Sequence, residues 1–390
     1  MRPKRRRAAR RRYWIILGIG CAAVGCTTHP APVATRGVIH GSTRPVPQSG
    51  ASAATQPCAE PENGQRLVSV TKVEARRSGV WLALPGHYSV RMPVLVGSND
   101  HGASWIYHCL HNDIGDADSV FFVDETHGWA AVHEGGGRLL ATTDGGTTWT
   151  AGHTPPANDE LHDVFFTDRR HGWAVGETLD TMLQGTGSVL RSTDGGATWT
   201  AATGPPGIDN LHAVWSTDPK HVWVISHDPQ VAATTDGGRT WTVQRLETIG
   251  YLWDVAFADS RHGWIVSNDN HTTGQVLATR DAGRTWTEIA RFPHSAESIR
   301  VLDADHIVVG GQYPATLESS ADGGATWTAR PLPESFAATS VYDPSTFWAF
   351  AQGEGRAGCL YSTTDAGRTW TPHALFNTAS CPPATDSQAH

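Results

Sequence analysis

The chain has 390 residues, with 41 Gly and 16 Trp but only 3 Met, a composition that suits turn-rich β structure and argues against a helical bundle. Eight of the 30 Lys plus Arg fall in the first twelve residues, which leaves 22 against 38 Asp plus Glu, a net charge of −16, for the remainder. So acidic a surface excludes nucleic acid as the expected partner.

Residues 1–26 have the layout of a secretory signal: a basic stretch, an apolar run over 13–24, then small residues. The run is too short for a comfortable membrane span. Ala23-Val24-Gly25-Cys26 resembles a bacterial lipoprotein cleavage site, with Cys26 the residue to be lipidated. Residues 17–21, ending at Cys21, are a poorer alternative, and Arg11-Arg12 faintly resembles a twin-arginine signal. Ordinary cleavage and an uncleaved anchor are the other readings, and each puts the rest of the chain at the cell envelope, outside the cytoplasm. Residues 27–65 are rich in Ala, Pro, Thr, Ser and Gly and are expected to be a disordered tether with a reach of roughly 35 Å.

The stretch 192–199, Ser-Thr-Asp-Gly-Gly-Ala-Thr-Trp, then organises everything up to residue 376. It returns at 98–105, 142–149, 234–241, 279–286, 320–327 and 363–370. The central acids Asp100, Asp144, Asp194, Asp236, Asp281, Asp322 and Asp365 are 44, 50, 42, 45, 41 and 43 residues apart. The pattern reads as strand, tight turn, strand, with the carboxylate accepting backbone N–H groups in the turn and the Trp anchoring the return. The anchors are Trp105, Trp149, Trp199, Trp241, Trp286, Trp327 and Trp370. A unit of this length is one four-stranded blade that must stack on its neighbours. The predicted fold of residues 66–376 is therefore all-β, a seven-bladed β-propeller with four antiparallel strands per blade, followed by a tail over 377–390.

A second phrase precedes each turn. It reads Asp124-Glu-Thr-His127-Gly128-Trp129 in one copy and Asp168-Arg-Arg-His171-Gly172-Trp173 in the next, and recurs around His221 and Trp223 and around His262 and Trp264. Trp81 and Trp348 keep the indole without the His, and His306 is followed by Val308. It marks the hairpin between strands A and B, so each blade runs A, Asp/His turn, B, loop, C, Asp turn, D. Both repeated positions together use thirteen of the 16 Trp, leaving Trp14, Trp215 and Trp253. Five equivalent His around a ring cap turns rather than bind a metal. Arg76-Arg77, Arg169-Arg170 and Arg261, in the A–B turns, are expected to be solubilising.

Alternating strand directions put both sets of turns on one face. The B–C loops and the crossovers from D to the next A form the other, which is the candidate binding face. Equivalent starts of strand A place Asp118, His162, His212, Trp253 and Glu297 at the channel mouth, with Asp163, Asp254 and Arg300 beside them. Glu177, Asp180, His227, Asp228, Asp269, His271 and Tyr313 lie in the adjoining loops. No metal-binding spacing such as HExxH is present, and neither a metal nor another cofactor is implied. With Cys21 and Cys26 set aside, Cys58, Cys109, Cys359 and Cys381 allow three disulfide pairings, of which Cys359–Cys381 with Cys58–Cys109 is favoured because Cys359 and Cys381 flank the last hairpin.

Ser/Thr-x-Asp-x-Gly-x-Thr-Trp is similar to the Asp-box, or bacterial neuraminidase repeat. Seven copies paired with a Gly-Trp phrase resemble the photosystem II stability and assembly factor family of seven-bladed propellers. The resemblance implies a rigid, non-catalytic docking ring, here a monomer at the envelope with a protein or glycan partner. It departs from that family in lacking a basic patch. A sialidase-like hydrolase is the alternative, but Arg91-Met92-Pro93 sits too near the first box, Arg191 falls on the turn face, and Arg300 finds no companions for an arginine clamp.

Overall fold

The computed structural model describes residues 55–58, 70–85, 93–110, 115–133, 137–152, 159–179, 185–269, 272–311, 316–331, 336–351, 359–373 and 375. Residues 1–54 with Cys26, expected to form the signal and most of the tether, the tail expected over 377–390, and Cys381 lie outside them. Among the described residues there are 29 strands and no helix.

Strand β1 (Thr55–Pro57) precedes blade one, which is β2 (Lys72–Arg76), β3 (Gly79–Ala83), β4 (Leu95–Ser98) and β5 (Ile106–Leu110). Blade two is β6 (Asp116–Phe122), β7 (Gly128–His133), β8 (Gly137–Thr142) and β9 (Thr150–Ala151). Blade three is β10 (Asp159–Phe166), β11 (Gly172–Leu179), β12 (Gly185–Ser192) and β13 (Thr200–Ala201). Blade four is β14 (Leu211–Ser216), β15 (Val222–Ser226), β16 (Gln230–Thr234) and β17 (Thr242–Arg245). Blade five is β18 (Tyr251–Phe257), β19 (Gly263–Asn268), β20 (Gly274–Thr279) and β21 (Thr287–Phe292). Blade six is β22 (Ser298–Val301), β23 (Ile307–Gly311), β24 (Thr316–Ser320) and β25 (Thr328–Pro331). Blade seven is β26 (Phe336–Val341), β27 (Phe347–Ala351), β28 (Cys359–Thr363) and β29 (Thr371–His373).

Each blade is antiparallel and pairs its strands in chain order. The seven first strands touch one another in sequence and β26 returns to β2, so they line the axis of a closed ring. The seven-bladed, all-β fold expected from the repeat spacing is the one found.

The repeated acid explains the hairpins. In blade three the Ser192 hydroxyl donates to Asp194 Oδ1 at 2.9 Å and accepts from the Gly196 N–H at 2.9 Å. Asp194 Oδ1 accepts the Thr198 N–H at 2.9 Å and Oδ2 accepts its hydroxyl at 2.6 Å. The same bonds recur in all seven copies, for example around Asp100, Asp281 and Asp365. A backbone N–H in the second turn then donates to a carbonyl of the first turn in every blade, from His101 to Ser78, Gly145 to Thr126, Gly195 to Arg170, Gly237 to Lys220, Ala282 to Arg261, Gly323 to Asp305 and Ala366 to Ser345. Both turn sets therefore share one face.

Between blades, the indole of the second strand lies against the turn of the next blade. A Cβ on Gly146 would overlap Trp81, one on Gly196 would press on Trp129, and one on Gly283 would meet Trp223. Trp129 Nε1 donates to Gly195 O at 2.9 Å and Trp223 Nε1 to Ala282 O at 3.0 Å, each across a blade boundary. Trp129 stacks on Phe166 at 3.5 Å and Trp223 on Phe257 at 3.7 Å. All six indoles of this set are buried, whereas of the Asp-turn set only Trp149 and Trp199 are; the other five are half-buried on the outer strands.

Two local readings of the sequence need correction. Arg76 is buried rather than solubilising: its guanidinium sits 4.3 Å over Phe122, donates to Asn99 and Gly145 O, and pairs with Glu125 at 3.2 Å, tying blade one to blade two. Thr55–Pro57, inside the stretch expected to be unstructured, form β1, because β5 offers an open edge and the Cys58–Cys109 disulfide pins the segment there. Cys359 is also disulfide-bonded.

Candidate functional site

The inner strands are not regular at the face opposite the turns. Their registers shift between Ala117 and Ser119, Leu161 and Asp163, Leu211 and Ala213, Leu252 and Asp254, and Phe336 and Ala338. The residues left over by these bulges are Asp118, His162, His212, Trp253 and Ala337. Four of them are the positions singled out by strand alignment, and the shared cause is an extra residue that re-aims one side chain per strand. Glu297 does not belong to the set: it precedes β22, which pairs regularly with β23, and its N–H donates to Gly310 O at 2.9 Å.

Asp118 and His162 approach to 3.3 Å between Oδ2 and Nδ1. His212 faces His227 with ring centroids 4.1 Å apart. Trp253 stands edge-on to both, at 6.3 Å and 5.5 Å, and Tyr251 edge-on to His227 at 6.4 Å. Burial holds His212 well below the usual imidazole range, and the neighbouring His227 and His162 push the same way. His227 is lowered too, by burial first and by His162 second. Burial raises the carboxyl of Glu177, in part offset by His162.

Below this ring cluster the charged residues are engaged with one another. Asp163 Oδ1 accepts Lys72 Nζ at 2.6 Å and the Ser119 hydroxyl at 2.7 Å, while Oδ2 accepts the Val214 N–H at 3.0 Å. One carboxylate thus joins blades one, two, three and four. Asp254 Oδ2 accepts the Ile299 N–H and Arg300 Nη1, both at 3.0 Å, joining blades five and six. Burial pushes the carboxyl of Asp254 up against the opposing pull of Arg300, and burial likewise raises Glu74, which feels Arg300 and Lys72.

The structure brings together Asp118, His162, His212, Trp253, the loop residue His227 and Glu177, which was expected in a loop but lies within β11, paired with Glu160 and Gly187, because that strand runs on past its apolar stretch; it assigns Asp163, Asp254 and Arg300 to contacts between blades. Arg191 lies on the turn side, 5.4 Å over Trp173. Asp180, His271, Tyr313, Arg91 and Met92 are outside the described residues. Sequence reading passed over Tyr251, Lys72 and Glu74; the polar–apolar alternation of β2, Lys-Val-Glu-Ala-Arg, offered a signal for Lys72 and Glu74, whereas the largely apolar run of β18 offered none for Tyr251. Among the described residues no group of His, Cys, Asp and Glu is arranged to hold a metal ion.

The family described as photosynthesis system II assembly factor YCF48, of the BNR repeat type, matches residues 241–380. The resemblance drawn from the Asp-box and Gly-Trp phrases therefore holds. No curated protein sequence matches the chain significantly. Among solved structures, YCF48 bound to D1 peptide superposes with a TM-score of 0.55 at 17% identity, covering 80% of this chain and 97% of that one. YCF48 from Cyanidioschyzon merolae gives 0.53 at 14%, covering 81% and 100%. The GH74 xyloglucanase from Xanthomonas campestris gives 0.56 at 14%, covering 81% of this chain and 54% of the enzyme. At such identities the likeness is one of fold.

Proposed function

We propose that this propeller is an exported, lipid-anchored and non-catalytic scaffold that docks a protein partner on the face opposite its Asp turns. The observation that carries the reading is the division of labour at the channel mouth. Asp163 and Asp254 are engaged in holding blades together, and beside them lie the half-buried rings of His212, His227 and Trp253, suited to contact. A YCF48 structure with a bound peptide supports a protein partner. Export and the anchor at Cys26 rest on the sequence layout of residues 1–26.

Affinity capture from envelope extracts tests it. Tyr251→Ala and His227→Ala are expected to lose the captured protein, and Asp303→Asn, on the turn face, to keep it. Hydrolysis of a xyloglucan or sialoside substrate, abolished by Asp163→Asn in protein that remains folded, would instead make the chain a glycosidase.

A further inference from the structure

We propose that the ring cluster of Tyr251, Trp253, His212 and His227, with the carboxylates beside it, binds a cationic Arg or Lys side chain of the protein partner. This names the chemistry of that partner and rests on the scaffold reading above.

Three observations converge. Tyr251 is 41% exposed, one of two large apolar side chains so open among the described residues, and it adjoins a cluster of rings whose π faces attract cations. Carboxylates lie beside that cluster: Asp118 against His162, Asp228 within reach of His227, and Glu177 within reach of His162, with Glu160 and Asp209 in turn within reach of Glu177. Among the described residues Glu160, Glu177 and Asp209 engage no Lys or Arg. The cation that does reach His212 is Lys72, and Asp163 holds it at 2.6 Å.

The imidazoles do not oppose this charge pattern. His212 and His227 are both depressed by burial and by neighbouring His, so at neutral pH they present uncharged rings. Glu177, raised by burial and by Glu160 and Asp209, gains from any cation brought near it. The net −16 of the chain beyond residue 12 adds long-range attraction for a basic segment.

Calorimetric titration of the full chain with an Arg-Gly-Arg-Gly peptide amide, its citrulline analogue and its Glu counterpart tests the inference. Only the Arg peptide is expected to bind. Tyr251→Ala and Glu177→Gln should each weaken it by roughly 3- to 30-fold, the span expected of cation–π and carboxylate contacts. Tyr342→Ala, the other exposed tyrosine, which follows β26 on the turn face, should leave it unchanged. Binding should hold level down to about pH 6.5, the ordinary imidazole value beneath which burial keeps both His212 and His227, and fall only in more acid solution, as those rings take up protons and the raised carboxyl of Glu177 loses its charge. Equal binding of the citrulline analogue, equal loss in Tyr342→Ala, or displacement by a neutral oligosaccharide would overturn the inference. Failure of the Arg peptide alongside successful envelope capture refutes the cationic guest but not the scaffold, whereas glycoside turnover refutes both.

Discussion

Asp100, Asp236, Asp281, Asp322 and Asp365 are each held down to about 2, with the Ser104 contacts leading at Asp100 and the backbone of Thr240 at Asp236. Their folded values lie below the unfolded value of 3.8, so the stabilisation they give is complete above that pH and is lost as pH falls through about 2. Five such groups titrating together should make acid unfolding steep between about pH 4 and pH 2. Asp365→Asn should lower the melting temperature at neutral pH and flatten that slope; an unchanged slope would mean that the turn carboxylates do not couple to folding. The turn itself was legible in the sequence because its chemistry is local. Less legible was why the two turn positions differ. The first is His101, Ala282 and Ala366 in three copies, at φ of 57°, 67° and 60°; a Cβ at its glycines, such as Gly145 and Gly237, would come nearest to a carbonyl oxygen, at 3.0 Å and 3.2 Å. The second is Gly in all seven copies; at Gly146, Gly196 and Gly283 an indole of the preceding blade lies against it, a fact about another blade that no single repeat reveals.

At the scale of the strand, the bulges in β6, β10, β14, β18 and β26 decide which side chains reach the axis. Strand A could be found by its Phe-Phe and Asp/His phrases, but an inserted residue leaves the run of apolar types almost unaltered, so the aiming of His162 and His212 was visible only as an alignment column. The role of Asp163 was not visible at all: it depends on Lys72, Ser119 and Val214, which are 91, 44 and 51 residues away in sequence. Asp163→Ala strands the Val214 N–H and the Lys72 ammonium together, and should cost about 3 kcal/mol in urea unfolding. Adding Lys72→Met should return part of that loss, since the half-buried ammonium goes with its partner. Equal costs for the single and double variants would show that Asp163 acts through the backbone bond alone.

Across the whole ring, the chain closes without exchanging a strand: blade seven is contiguous, and it meets blade one through the Ala75 N–H to Ser340 Oγ bond at 2.9 Å and a cluster of Val70, Val73, Leu82, Trp348, Phe350 and Leu375. This seam departs from those between blades one and two or two and three in one respect. There an indole meets the turn glycine directly, whereas here the Trp348 ring packs at a tilt against His373, centroids 4.7 Å apart, and it is His373 that a Cβ on Gly102 would strike. Burial depresses His373 to about 4. Its folded value lies below the unfolded 6.5, so the neutral ring stabilises the seam fully above that pH, and the contribution fades as pH falls from 6.5 towards about 4. The most this single group can carry is about 3 kcal/mol. The closing seam is therefore expected to loosen in a milder acid window than the Asp turns. His108 and His212 are also lowered by burial, so a melting temperature alone would mix their effects with that of His373. Amide hydrogen exchange resolves them: protection in β2, β26 and β29 should drop between about pH 6.5 and pH 5 while β11 to β13, which carry none of the depressed imidazoles, remain protected, and any loss in β5 or β14 reports His108 or His212 instead. His373→Phe keeps an aromatic ring on Trp348 and removes the proton site, and it should abolish that local drop; exchange at the seam that still rises with acid in this variant would assign the opening to another group.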